Sequence, residues 1–284
     1  MEVGITTTVA DWSIDAQTIA RMVEEAGIPV LGFGEHTHIP AARETPYPGG
    51  SGAEKGKLPP GYERTIDLFV TLTQAAMVTT TLKLATGILQ VVQRDPIITA
   101  KEVASIDHIS GGRFIPITGS SWNIGEIRNH GTDPATRYEL MEERVLAMRE
   151  IWAQDEASFH GKFVNFDRIW SWPKPVQQPM PIYIGGNSAG SEDRALRAGT
   201  GWAPIHADDV PGRVAAYLER AAAEGIETSV VAVGGPVTPE TIDTYARAGA
   251  KYWMTGLPMG DDISVYERAI DTLRDATAQF AGSA

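Results

Sequence analysis

The residues from Leu84 to Asn123 limit the fold more than any other part of the chain. Leu82 to Leu89 is a short apolar and β-branched run of the kind that suits a strand buried on both faces. Asp95-Pro96 then opens a helix, with Asp at the cap and Pro at the first helical position. Ile98, Val103, Ile106 and Ile109 recur at helical spacing, and Gly111-Gly112 closes the helix. Arg113 to Ile117 resumes a strand that runs into Thr118-Gly119-Ser120-Ser121. Two strands joined by one helix in this way are parallel, and in an α/β fold their C-terminal ends form the working face. Thr86, Gly87 and the Thr118–Ser121 run keep that face small, so a ligand can come close to the backbone. Spacing alone fits equally a crossover whose glycines merely turn the chain.

The same alternation runs through the sequence. Glu2 to Thr8 reads as a first strand, Ile14 to Ala26 as an amphipathic helix stopped by Gly27, and Pro29 to Phe33 as a second strand. A long Gly- and Pro-rich stretch from Ile39 to Glu63 follows, and a loop of that length inside a compact chain is usually either functional or disordered. Thr65 to Met77 and Arg137 to Trp152 are helices, with loop expected from Ser121 to Thr136. Ala157 to Pro175 is aromatic and β-prone around Gly161, the pattern of an inserted hairpin packed by its own Phe and Trp residues. Strands at Pro181 to Ile184, Trp202 to Ile205, Thr228 to Val233 and Lys251 to Thr255 alternate with helices to the last one, Ile263 to Phe280. About eight strands alternating with helices close best as a (β/α)8 TIM barrel, a single domain over residues 1–284. The competing doubly wound sheet lacks its G-x-G-x-x-G fingerprint here.

Composition removes several classes. A formal charge of −12 with no basic cluster disfavours nucleic acid and anionic membrane as partners. Without cysteine there is no disulfide, thiolate metal site or Cys nucleophile. No run of about 18 apolar residues and no signal-peptide pattern occurs, so a cytoplasmic location is the expectation.

His36 and His38 stand just past the second strand, on the expected working face. Their H-x-H spacing could open a metal-dependent hydrolase site, with His206 as a further ligand. The other strand ends supply no His or carboxylate, so no metal is expected. His36 can instead act as an acid or base beside a bound ring, or simply be a hydrogen-bonded histidine at a strand end. Gly185-Gly186-Asn187-Ser188 joins a strand to a helix, where backbone N–H groups and a hydroxyl can receive an anion or phosphate. It shares a face with Thr118, Gly119 and Ser120.

Taken together, GFGEHTHIP, the Leu84–Asn123 block, RYELMEERVLAMREIW, the F-x-G-K-F…WPKPVQ segment and IGGNS…GTGW resemble the bacterial luciferase-like monooxygenase family. The likeness is strongest to the subgroup that uses the deazaflavin coenzyme F420. It covers most of the chain and implies a (β/α)8 barrel with a cofactor at the C-terminal strand ends. It implies a non-proline cis peptide at Gly87-Ile88, with Thr86 beside it, and phosphate-side contacts from Thr118, Gly119, Ser120, Gly185, Gly186, Asn187 and Ser188. His36 corresponds to a histidine that deazaflavin members place near the reactive ring carbon. Two departures stand out. Ser121 occupies the position of a glutamate in the sugar-phosphate dehydrogenases of the family, leaving no evident acid for His36. Ser120 occupies the position of a phosphate-binding arginine.

The resemblance implies an oxidoreductase that moves a hydride between F420 and a small organic substrate, with the Ile39–Glu63 loop as a lid. The alternatives are an FMN-dependent monooxygenase and a non-catalytic flavin-binding protein. An acidic coenzyme tail would need local positive charge, for which Arg43, Lys55, Lys57 and Arg64 are the sequence candidates. A homodimer is implied by the resemblance alone.

Overall fold

Side chains along Glu2–Thr7 (β1) alternate between two environments, and that alternation organises the molecule. Ile5 packs outward among the helices, whereas Gly4 faces inward, where a Cβ would lie 2.7 Å from the Val30 Cβ. The computed structural model describes residues 1–49 and 55–278. Part of the long loop expected at Ile39 to Glu63, residues 50–54, therefore lies outside the described residues, as do residues 279–280 of the helix expected at Ile263 to Phe280.

All strands of the main sheet run parallel. β1 pairs with Val30–Phe33 (β2) on one side and with Tyr252–Gly256 (β11) on the other. From β2 the sheet continues to Lys83–Thr86 (β3) and Phe114–Ile115 (β4). From β11 it continues through Ser229–Val233 (β10), Gly201–Ala203 (β9) and Tyr183–Gly185 (β8) to Ile117–Thr118 (β5). β4 and β5 are two pieces of one strand, so eight strand positions close the barrel, as the alternation predicts. The break falls at Pro116, which has no N–H for the ladder. Thr86 bridges it: its hydroxyl accepts from Ile117 N and donates to Ile117 O, both at 2.7 Å.

Val30, Ala85, Ile115, Ile117, Tyr183, Val231, Tyr252 and Met254 fill the barrel interior. A larger apolar layer, including the fully buried Trp202 and Trp253, lies between the strands and the helices. The first three helices start where short polar side chains can receive their free N–H groups. Asp15 caps Ala16–Glu25 (α1), Asp67 caps Leu68–Val78 (α2), and Asp95 caps Pro96–Ser110 (α3). Gly111 ends α3 at φ 66°, as the glycine pair predicts.

Three expectations need correction. On α3 the inward face is Thr99, Ala100, Val103, Ile106 and Asp107, while Ile98 is 60% exposed and Ile109 44%. The helix is apolar on nearly all sides, so spacing could not select the buried face. The expected loop after Ser121 contains a short helix, Ile124–Asn129 (α4), ahead of Arg137–Ala153 (α5). The hairpin is present as Ala157–His160 (β6) against Asn165–Ile169 (β7), with Phe159 stacked on Phe166. Its Trp170 and Trp172 do not pack it; they are 78% and 54% exposed.

Candidate functional site

β2 ends one residue before Gly34, and the chain then delivers Glu35 and His36 into the wall of the barrel mouth, both buried. His36 Nδ1 lies 2.7 Å from Glu126 Oε2, and Glu126 is wholly buried. Glu126 is the acid that the sequence did not reveal. It comes from α4, where the Asn123 side chain caps the helix by accepting from the Glu126 N–H at 3.5 Å. Its other oxygen accepts from Thr37 N at 3.1 Å. On the far side of the imidazole, Trp122 Nε1 donates to His36 Nε2 at 3.2 Å. An indole nitrogen can only donate, so Nε2 holds the lone pair and Nδ1 holds the proton given to Glu126. The pair is thus a neutral imidazole oriented by a carboxylate.

Aromatic rings enclose it. Tyr62 and Trp122 sit 5.2 and 5.6 Å from the His36 ring, and Tyr47 touches both, at 5.4 Å and 5.7 Å. Burial, helped by Tyr47 and Glu126, pushes the Tyr62 phenol up and keeps it protonated. Behind His36, Gln93 Nε2 donates to Gln90 Oε1 at 2.7 Å and to Ser121 Oγ at 3.3 Å, and Gln90 Nε2 donates to the Glu35 carbonyl. Ser121 holds φ 61°, a left-handed conformation uncommon outside glycine and often found at functional sites. Glu35 is held by Arg94, whose Nε donates at 2.6 Å. Burial pushes the Glu35 carboxyl up against the pull of that guanidinium.

The next strand ends are shaped by glycine. The Gly87-Ile88 peptide is cis, at the position the resemblance implies. A Cβ on Gly87 would lie 2.3 Å from Thr6 Oγ1, and one on Gly119 would lie 2.0 Å from Ile88 Cδ1, so neither position admits a side chain without displacement. Thr86 and Thr118 use their hydroxyls to tie neighbouring strands, Thr118 to Tyr183 O at 2.9 Å. The Asn187 amide clasps the Ile205 backbone, donating to its carbonyl at 2.6 Å and accepting from its N–H at 2.8 Å. Ser188 Oγ faces the other way and accepts from Arg194 Nη2 at 2.8 Å.

Ser188 belongs to a cationic cradle. Arg137 and Arg194 lie 4.4 and 4.7 Å from the centre of the Tyr138 ring. Arg137 Nη2 donates to Tyr138 Oη at 3.2 Å. Burial would raise the Tyr138 phenol, but Ser188, Arg137 and Ser120 outweigh it and pull it down. Neither arginine forms an ion pair among the described residues, and the Nε of each is buried without a partner. α5 begins at Arg137 and Ser191–Ala198 (α6) begins three residues past Ser188; neither N-terminus has a side-chain cap. Two guanidinium groups and two helix starts without side-chain caps thus gather positive charge around Ser188.

Of the other sequence candidates, Arg64 forms an exposed pair with Asp11 at 2.8 Å, away from this cradle. Arg43 is half-buried in the long loop, and Lys55 and Lys57 border the residues that are not described. His38 turns away from His36 and meets Asn129 Nδ2 at 2.9 Å and Thr37 Oγ1 at 3.0 Å. Among the described residues no group of three or more His, Asp or Glu side chains is arranged to hold a metal.

The parallel barrel thus carries a buried His–carboxylate pair and a cluster of two arginines around Tyr138 and Ser188. The chain belongs to the luciferase-like monooxygenase family, whose model matches residues 7–282. It is 34% identical over 275 residues to protein Rv0953c of Mycobacterium tuberculosis, covering 94% of this chain and 96% of that one. Over 121 residues it is 38% identical to an FMNH2-dependent dimethylsulfone monooxygenase of Pseudomonas putida, covering 41% of this chain and 33% of that enzyme. Among solved structures, monooxygenase RslO1 of Streptomyces bottropensis shares the fold at TM-score 0.76 and 18% identity, covering 99% of this chain and all of that one. An F420-dependent secondary alcohol dehydrogenase holding an F420–acetone adduct does so at TM-score 0.72 and 16% identity, covering 97% of this chain and 98% of that one. Among the described residues no helix is long and apolar enough to cross a membrane.

Proposed function

We propose that the protein is an oxidoreductase that moves a hydride between the deazaflavin coenzyme F420 and a small organic substrate. The observation that carries this reading is the buried His36–Glu126 pair at the barrel mouth. Interconverting an alcohol and a carbonyl compound requires a proton to move at oxygen while a hydride moves at carbon. A neutral His36, fixed by Glu126 through Nδ1, offers Nε2 as the proton acceptor.

The residues fit a phosphate-bearing coenzyme on a structural criterion: the buried, unpartnered Nε atoms of Arg137 and Arg194 beside Ser188. Ser120, Ser188, Tyr138 and the two arginines would hold the phosphate. Thr86, Gly87, Ile88, Thr118, Gly119, Gly185, Gly186 and Asn187 would shape the wall against the ring. When bound, the coenzyme supplies two-electron hydride chemistry. The protein orients the substrate, excludes water with Tyr47, Tyr62 and Trp122, and takes up the proton at His36 Nε2. A homodimer acting in the cytoplasm, on a small molecule and on neither nucleic acid nor membrane, completes the reading.

A second reading, an FMN-dependent monooxygenase, is favoured by the 38% identity to the dimethylsulfone enzyme over its matching segment. Stopped-flow absorbance with F420 and a panel of small alcohols separates the two. Direct bleaching of the deazaflavin without oxygen is the expected result. Oxygen-dependent turnover seen only with reduced FMN would replace the first reading with the second.

A further inference from the structure

The acid–base role assigned to His36 gives no part to Trp122, yet Trp122 occupies the one imidazole nitrogen that the role requires. The groups that face His36 are Glu126 and Trp122, on α4 and just before it, Tyr62 from the loop, and Gln90 after β3, with Glu35 beyond Gln90. Among the described residues only Trp122 hydrogen-bonds Nε2. The indole N–H donates and never accepts. A proton arriving at Nε2 would set two donors against each other, so His36 cannot take up a proton there while Trp122 stays in place. Whatever delivers the proton must first displace the indole, and it must itself be a donor. The rings of Tyr47, Tyr62 and Trp122 meanwhile leave an apolar surround for the rest of that molecule.

We propose that Trp122 holds the place of the substrate's hydroxyl, so that the site selects apolar alcohols over ligands that present only an acceptor. This rests on the reading of His36 as the proton acceptor. In the step it serves, the alcohol O–H breaks and its proton passes to His36 Nε2. The deazaflavin, when bound, would supply the two-electron acceptor: the carbinol C–H would give up its hydride to it as the carbon–oxygen double bond forms. Trp122 is a positioning residue, since it touches His36 rather than the reacting carbon.

The test uses ¹H–¹⁵N spectra of the full chain without coenzyme. The Trp122 indole signal is identified by its loss in Trp122→Phe and, independently, by its movement in His36→Ala. Cyclohexanol and cyclohexanone serve as probes. Cyclohexanol is expected to move the signal, and cyclohexanone at the same concentration to leave it in place. In Trp122→Phe, which keeps a ring but removes the donor, cyclohexanol should bind about 3- to 10-fold more tightly, the worth of one net hydrogen bond. Cyclohexanone binding should not change. Equal responses to the two probes, or an indole signal that ignores cyclohexanol, overturns the proposal. Because no coenzyme is present, failure of F420 to bind would defeat the functional reading and leave this result standing.

Discussion

The two ends of the barrel treat their arginines in opposite ways. At the base, Arg113 spends its guanidinium on protein acceptors: Ser110 O at 2.7 Å, Leu82 O at 2.5 Å, Thr79 O at 3.0 Å, Ala76 O at 3.3 Å and Thr79 Oγ1 at 3.1 Å. Three of these acceptors belong to the closing turn of α2, where free carbonyls collect and a cation is welcome. At the mouth, Arg137 and Arg194 keep buried Nε atoms without partners and meet no carboxylate among the described residues. A buried donor left unsatisfied costs stability, on the order of 1–3 kcal/mol. The contrast separates an arginine committed throughout to the fold from two that bond Pro134 O and Ala189 O yet each keep one buried donor unused.

Substitutions can break or sharpen that contrast. The largest effect is expected at the mouth on catalysis. Glu126→Gln should lower kcat by about 100-fold or more, because the proton on His36 Nδ1 loses its charged acceptor. Steady-state kinetics with coenzyme saturating measures it, and a change confined to KM would contradict the assigned role. Next, Arg137→Gln with Arg194→Gln should weaken coenzyme binding about 100-fold while the melting temperature stays nearly constant. Fluorescence titration and thermal melts read the two quantities separately.

At the base the pattern should invert. Arg113→Met should cost about 3 kcal/mol and lower the melting temperature by several degrees, with coenzyme affinity retained. The smallest effect concerns Glu24 at the same end. Burial raises its carboxyl, but the N–H groups of Thr81, Leu82 and Thr80 and the Thr81 hydroxyl outweigh this, so it is pulled from 4.5 down to about 2. Its folded value lies below the unfolded one, so its contribution is complete above about pH 4.5 and fades as the pH falls toward 2. Urea midpoints across that window should fall less steeply in Glu24→Gln than in the parent chain; parallel curves would refute the assignment.

Local signals carried most of the architecture. Asp95-Pro96, Gly111-Gly112 and the short apolar runs fix strands and helices through chemistry that acts within a few residues. The glycines at 87 and 119 were also legible, although the reasons for them, Thr6 and the Ile88 side chain, lie on other segments. Glu126 was not. It reaches His36 from 90 positions away, and only the tertiary fold brings them together. One sequence sign was available: Asn123 followed three residues later by Glu126 is a helix-start pattern that announces α4. The cationic cradle was hidden for a similar reason. Arg137 and Arg194 sit on two helices and read as ordinary helix formers until Tyr138 and Ser188 are seen between them. Arg64, a candidate by proximity to the long loop, is used up by Asp11 instead.

The central claim is that the mouth of this barrel binds a phosphate-bearing deazaflavin between Ile88 and Ser188. Equilibrium titration of the purified protein with F420, followed by competition with FMN, tests it most directly. Saturable F420 binding that FMN displaces poorly, and that weakens sharply in the Arg137→Gln, Arg194→Gln variant, is the predicted result. Absence of binding by either coenzyme, or an affinity indifferent to those two arginines, would contradict it.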